Sequence, residues 1–204
     1  MALFLGTIWI QLSSWSVSEM VAVVFAILYF LLAIRENIWC WFFAGVSTAI
    51  YVTVYFDAKL YMESALNVFY FAMAIYGWFI WRSGGEQHLP VVTWPARTHL
   101  LAVTAIAVCV AIIGYLLDTL TDAAFPYIDS VTTFAAIWAT FLITRKVLEN
   151  WWYWLVIDIV SIFIYWSREL ELTSVLFVAY VVMIPFGLFK WSRSLREQQQ
   201  PPAT

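Results

Sequence analysis

The chain has 204 residues, of which 64% are apolar, 20% aromatic and only 11% charged. A soluble domain carries roughly 25% charged residues, so these proportions exclude an ordinary soluble protein. The formal net charge of −3 provides no basic surface for nucleic acid. Cys40 and Cys109 both lie inside apolar runs, which argues against a disulfide framework and against a zinc site.

Seven apolar stretches approach the length of about 20 residues that a membrane span needs. In chain order they cover 16–34, 38–56, 60–81, 98–117, 124–144, 150–166 and 171–191. Residues 1–15 are apolar but too short to span, and we expect an interfacial segment there. Residues 192–204 are expected to form a disordered cytoplasmic tail. The sequence therefore predicts an all-α polytopic membrane protein.

The positive charges of the loops predict the orientation of the chain. Eight of the ten Lys and Arg residues follow the first, third, fifth and seventh spans, whereas only Lys59 and Arg168 lie on the other side. Cytoplasmic loops carry the excess of positive charge in membrane proteins. We therefore expect the N-terminus outside and the C-terminus in the cytoplasm.

The two halves of the chain are similar at a spacing of about 110 residues. The alignment also needs an insertion of three residues, which lays the segment 36–41 on the segment 149–154. It predicts a three-helix repeat over 16–81, a linker helix over 98–117 and a second repeat over 124–191. Such parallel repeats are related by an axis along the membrane normal, and transporters are often built this way. Among the matched pairs are Ser64 with Ser174, Tyr70 with Tyr180, Gly77 with Gly187 and Trp81 with Trp191.

Asp158 is the most informative polar residue, because it lies in the middle of the sixth predicted span. A central carboxylate costs roughly 2.5–3.5 kcal/mol, so it should face a cavity or a partner. Trp154 and Ser161 share its helical face, and its repeat counterpart in this alignment is Gly45. Aromatic planes beside a carboxylate would bind a flat cationic ring. The alternative is a protonated Asp158 that is bonded to a neighbouring helix.

Further candidate binding residues lie in the second, third and seventh spans. Asn67 is expected either to bond a ligand hydroxyl or amide, or to join two helices. Tyr70 and Tyr180 are repeat counterparts, so they either contact a ligand or pack the repeat. Trp41 is aligned with Trp154, which suggests a stacking or gating role.

Other aromatic residues and glycines have structural interpretations. Trp151 and Tyr165 lie near the ends of the sixth span and are interpreted as interfacial anchors. Gly77 and Gly187 are expected to permit the close approach of helices.

No catalytic or metal-binding constellation is found inside the predicted spans. The two histidines, His88 and His99, flank the loop between the third and fourth spans, and no lysine lies in the middle of a span. A Gly-rich phosphate-binding loop is also lacking. We therefore expect no metal, no cofactor and no enzymatic activity.

The segment RKVLENWWYWLVIDIVSIFIY, followed by a span that ends in GLFKW, resembles the second half of the PnuC family of vitamin transporters. The segment LYMESALNVFYFAMAIYGWFIW is similar to the third span of that family. The resemblance covers residues 16–193. It implies seven helices in a three-plus-one-plus-three arrangement, like that of the SWEET proteins, and a homotrimer in the bacterial inner membrane. It also implies facilitated diffusion of nicotinamide riboside, with trapping by a cytoplasmic kinase.

One motif departs from the pattern of this family. Members specific for nicotinamide riboside carry W-x-x-x-N in the sixth span, whereas Trp154 and Asp158 form W-x-x-x-D here. Related subfamilies carry thiamine, riboflavin or deoxynucleosides, and a carboxylate suits both thiamine and nicotinamide riboside. The resemblance therefore favours a passive importer of nicotinamide riboside, with a thiamine transporter as the alternative. A proton-coupled carrier and a membrane receptor without transport are the competing classes.

Overall fold

The computed structural model describes residues 16–57, 61–83, 89–121, 125–167 and 171–200. The predicted interfacial segment, residues 1–15, lies outside this part of the chain. The described residues form seven helices, which follow one another with short connections. They are α1 (Val17–Ile34), α2 (Trp39–Asp57), α3 (Tyr61–Arg82), α4 (Ala96–Leu120), α5 (Pro126–Thr144), α6 (Asn150–Ser167) and α7 (Glu171–Gln199).

The all-helical class expected from the sequence is confirmed, and each predicted span falls on one helix. Six of these helices are long and apolar enough to cross a membrane. The exception is α6, which has 18 residues but contains the polar residues Asn150 and Asp158. Many large apolar side chains point outward, as a lipid environment requires: Leu100 is 68% exposed and Phe163 is 71% exposed.

The last helix is longer than the sequence analysis predicts. It continues through Gln199, so the expectation of a disordered tail from residue 192 is wrong for residues 192–199. Arg193 donates to Glu197 one turn later at 2.7 Å, and Arg196 donates to the Ser192 carbonyl at 3.2 Å. These bonds between residues four apart stabilise a helix whose surface is already polar.

The helices pack as two sets of consecutive neighbours. In the first half α2 contacts both α1 and α3, and in the second half α6 contacts both α5 and α7. The two halves meet where α3 contacts α5 and where α1 contacts α7, while α4 packs on α5. The helices of each half therefore make the same set of contacts, and the interface between the halves is formed by corresponding helices.

Several interactions recur at a spacing of 110 residues. Ser64 donates to the Val52 carbonyl at 2.9 Å, and Ser174 donates to the Ile162 carbonyl at 3.1 Å. The turns after α1 and α5 also correspond. Each of them has a non-glycine residue with positive φ, namely Glu36 with φ 55° and Lys146 with φ 51°.

The three-residue insertion expected from the sequence alignment is therefore wrong, because the turns that it should separate occupy the same position in each half. Trp41 corresponds to Trp151, and Asp158 corresponds to Thr48 rather than to Gly45. The alignment of the sequences matched pairs of tryptophans instead. Neither turn contains a glycine that would have marked it.

Each half has a tryptophan that lies directly on a glycine. Trp41 of α2 covers Gly77 of α3, and Trp151 of α6 covers Gly187 of α7; a Cβ atom on either glycine would overlap the indole. Trp151 is 1% exposed. Its interpretation as an interfacial anchor is thus wrong, because it fills the contact between two helices.

Candidate functional site

Asp158 lies in the middle of α6 and is only 2% exposed. Its Oδ2 atom has no hydrogen-bond partner among the residues that the structure describes. Leaving a buried polar atom without a partner costs about 1–3 kcal/mol, so most such atoms in folded proteins are satisfied. The carboxylate oxygen is therefore an acceptor that a bound molecule could satisfy.

Aromatic rings surround this carboxyl group on the side of α7. Tyr180 interacts electrostatically with Asp158, and its ring stacks on Phe30 of α1 at 5.1 Å between centroids. Phe177 meets Tyr180 edge-on at 5.9 Å and stacks on Tyr165 at 5.2 Å. Tyr165 thus packs on a ring of α7, which its interpretation as an interfacial anchor does not explain.

Five tyrosines from five helices are linked electrostatically in the same region. Tyr29 interacts with Tyr70 and Tyr180, Tyr180 also interacts with Tyr51, and Tyr70 interacts with Tyr165. Phenolic hydroxyls donate and accept hydrogen bonds, and their rings present apolar faces. Together with Asp158, they form a region that combines aromatic surface with hydrogen-bonding groups. We call these five tyrosines and Asp158 the central site.

Trp154 lies one turn before Asp158 on the same face of α6. It packs against the small cluster of Ala136, Ala139 and Ile157, as does Tyr70 of α3. The structure therefore brings two predicted site residues, from different halves, onto one surface.

Two other predicted site residues lie on helical faces that adjoin the central site. Ser161 is 5% exposed and lies on α6, three residues after Asp158. Asn67 is half-buried on α3, three residues before Tyr70. Their contact with a ligand stays a prediction.

The structure does not bring Trp41 together with Trp154 and Asp158 as the alignment suggested. Trp41 meets Trp81 edge-on at 5.4 Å in the core cluster that also contains Trp151 and Trp191. Its structural counterpart is Trp151, and both tryptophans are used to join neighbouring helices. A packing role therefore explains Trp41 without a ligand.

Sequence reasoning missed three aromatic residues of this region. Tyr29 and Phe30 lie in a continuous apolar run, VVFAILYFLLAI, where no polar neighbour distinguishes them. Tyr51 could have been found, because the uninterrupted spacing of 110 residues makes it the counterpart of Ser161. The misplaced insertion concealed that correspondence.

The arrangement is suited to binding and offers no means of covalent catalysis. Within the described ranges, no group of three His, Cys, Asp or Glu side chains could hold a metal ion. A groove of about 710 Å³ lies between α2 and α3 and is lined almost wholly by apolar side chains. It includes neither Asp158 nor any of the five tyrosines, so it is a feature of the membrane-facing surface.

Comparisons with known proteins agree with a transport function. The family described as nicotinamide mononucleotide transporter matches residues 16–193. The chain is 28% identical to the nicotinamide riboside transporter PnuC of Escherichia coli, over 88% of this chain and 87% of the relative. It is 22% identical to the riboflavin/roseoflavin transporter RibM of Streptomyces davaonensis, over 90% and 88% of the two chains. The crystal structure of a vitamin B3 transporter PnuC superposes with a TM-score of 0.72 at 25% identity, covering 95% of this chain and 90% of that one.

Proposed function

Because the chain belongs to the nicotinamide mononucleotide transporter family, we propose that it carries nicotinamide riboside across the membrane by facilitated diffusion. The family is one of multi-pass membrane transporters and not of enzymes. The observation that carries the proposal is the similarity to the PnuC transporter of Escherichia coli along nearly the whole of both chains. Similarity to nicotinamide riboside transporters favours this vitamin over thiamine.

The central site supports a cationic aromatic substrate. Nicotinamide riboside has a flat pyridinium ring with one positive charge, a carboxamide and ribose hydroxyls. Asp158 supplies a buried acceptor and negative charge, and Trp154 and Tyr180 supply aromatic faces. Desolvated cation–π contacts contribute about 2 kcal/mol each, so two rings beside one carboxylate suit such a ring.

Three features of the assembly belong to the same proposal. The recurrence of contacts at 110 residues supports two parallel three-helix repeats, 16–81 and 124–191, around the linker helix 98–117. The distribution of Lys and Arg supports an inner-membrane protein with the N-terminus outside and the C-terminus in the cytoplasm. The resemblance to the PnuC family supports a homotrimer.

Purified protein in proteoliposomes without an energy source is expected to let labelled nicotinamide riboside equilibrate across the membrane. The expected end point is equal concentrations inside and outside, because a passive carrier only speeds the approach to equilibrium. Riboflavin and thiamine serve as competitors. The proposal fails if nicotinamide riboside does not equilibrate, and equilibration of riboflavin instead would make the RibM-like substrate the right one.

A pH gradient tests the competing proton-coupled mechanism in the same vesicles. We expect the gradient to leave the final ratio of concentrations at one. Asp158 is the only Asp or Glu in the central site, so no relay of carboxyl groups is found there in the described structure. Accumulation above equilibrium under an inward proton gradient would contradict passive transport.

A further inference from the structure

The turns after α1 and α5 have an unusual backbone at corresponding positions. The Asn37 amide donates to the Leu32 carbonyl and the Glu36 amide to the Ala33 carbonyl, which is the pattern of a Schellman motif. Glycine usually occupies the residue with positive φ in this motif, because other residues are strained there. Here that residue is Glu36 in the first turn and Lys146 in the second. Two strained charged residues at matched positions need a compensating interaction.

The compensating interaction is that these two residues bond to each other. The Lys146 ammonium lies 2.9 Å from the Glu36 carboxylate, and the two side chains are only 4% and 15% exposed. The ammonium also lies over the Trp81 ring, 4.7 Å from its centroid. A buried pair of opposite charges is stable only while both partners are present, since either charge alone is strongly disfavoured.

The surrounding hydrogen bonds join the two halves at the same end of the bundle. The Trp81 indole of the first half donates to the Thr144 carbonyl of the second, and the Trp191 indole of the second donates to the Ala33 carbonyl of the first; each distance is 3.1 Å. Trp81 and Trp191 also contact each other, with centroids 6.3 Å apart.

The segment before α4 reinforces this end from outside. Val92 donates to the Lys146 carbonyl at 3.0 Å and accepts from the Leu148 amide at 2.8 Å. The backbone of Lys146 is therefore held in place by the linker while its side chain reaches the other half. The end of the bundle that carries these turns is tied together by bonds between the halves.

We propose that the Glu36–Lys146 ion pair is the clasp that closes this end of the substrate pathway. The inference rests on the proposed transport function, which requires each end of the central site to open in turn. Separating the halves here would break the pair, and both charges would then be hydrated by water in the open pathway. The pair thus favours the closed arrangement, in which a dry contact satisfies both charges, over the open one.

The repeat makes a specific prediction about exchanging the two charges. Lys146 lies over Trp81, and the counterpart of Trp81 at a spacing of 110 residues is Trp191. A lysine at position 36 should therefore find the Trp191 ring where Lys146 finds Trp81. The double variant Glu36→Lys with Lys146→Glu should rebuild the clasp with its polarity reversed.

Cys40 provides a reporter for the state of the clasp. It is 0% exposed at the start of α2 and lies close enough to Lys146 for an electrostatic interaction. In a Cys109→Ser background, Cys40 is the one remaining cysteine of the 204 residues. The rate of its reaction with a small hydrophilic maleimide measures how often this end opens, and the measurement needs no substrate. Its outcome is therefore independent of which vitamin is carried.

We expect Glu36→Gln and Lys146→Gln to increase the labelling rate of Cys40 by about tenfold, and the double variant to restore slow labelling. Arg193→Gln is the matched control, because it breaks the exposed pair with Glu197 and should leave the rate unchanged. Monodisperse elution identifies the variants that fold, and Glu36→Asp, with a longer gap but the same charge, replaces any neutral variant that does not. Unchanged labelling in the single variants, or fast labelling in a folded double variant, would overturn the clasp.

Discussion

Gly77→Ala and Gly187→Ala are each expected to lower the free energy of unfolding by about 3 kcal/mol. A Cβ atom on Gly77 would overlap the Trp41 indole, and one on Gly187 would overlap the Trp151 indole. Neither indole has room to move. Trp41 is held by Trp81 at 5.4 Å, and Trp151 is held by Trp191 at the same centroid distance.

The measurement is the thermal midpoint of the purified protein, followed by size-exclusion chromatography after heating. A loss of about 3 kcal/mol corresponds to a decrease of about 6–12 °C for a chain of this length. Gly45→Ala is the matched control in a neighbouring helix, since its new Cβ atom would lie 3.9 Å from the nearest side chains. It should leave the midpoint unchanged or raise it, because alanine favours helices. Equal midpoints for all three variants would show that the indoles do not occupy these positions.

Asp158→Ala is expected to weaken the binding of nicotinamide riboside by about ten- to a hundredfold. The substitution removes a buried acceptor and negative charge from the site of a cationic ring. Asp158→Asn keeps the shape and the hydrogen-bonding capacity and recreates the W-x-x-x-N spacing with Trp154, so its loss should be smaller. Trp154→Ala should also weaken binding through the loss of stacking.

Calorimetric titration of purified protein with nicotinamide riboside measures these affinities. Thr48→Ala is the matched control, because Thr48 is the repeat counterpart of Asp158. Its hydroxyl already donates to the Ala44 carbonyl of its own helix at 2.8 Å, so we expect affinity within about twofold of the unmodified protein. If Asp158→Ala binds as tightly as Thr48→Ala, Asp158 is a packing residue and the proposed site is wrong.

The positions of the helices and the importance of Asp158 could be predicted from the sequence alone. Long apolar runs must form helices in a membrane because every backbone group has to be satisfied within the segment. The predicted spans consequently agree with α1 to α6 and with the start of α7. A carboxylate in the middle of such a run is conspicuous for the same reason, and Asp158 is indeed buried without a partner among the described residues.

Other features depended on contacts between helices, which apolar composition does not specify. Trp41, Trp151 and Trp154 are chemically alike, so the sequence could not tell which of them cover glycines and which lies beside Asp158. That assignment follows from helix packing, where Gly77 and Gly187 provide the only surfaces flat enough for an indole at those contacts.

The turn positions of Glu36 and Lys146 were also decided by tertiary structure. A residue with positive φ is usually recognised by glycine, and neither turn has one, so the local sequence carried no signal for the motif. Both residues are held there by the ion pair that they form across the two halves at 2.9 Å. The local strain is offset by an interaction between residues 110 positions apart, and only the folded chain brings those residues together.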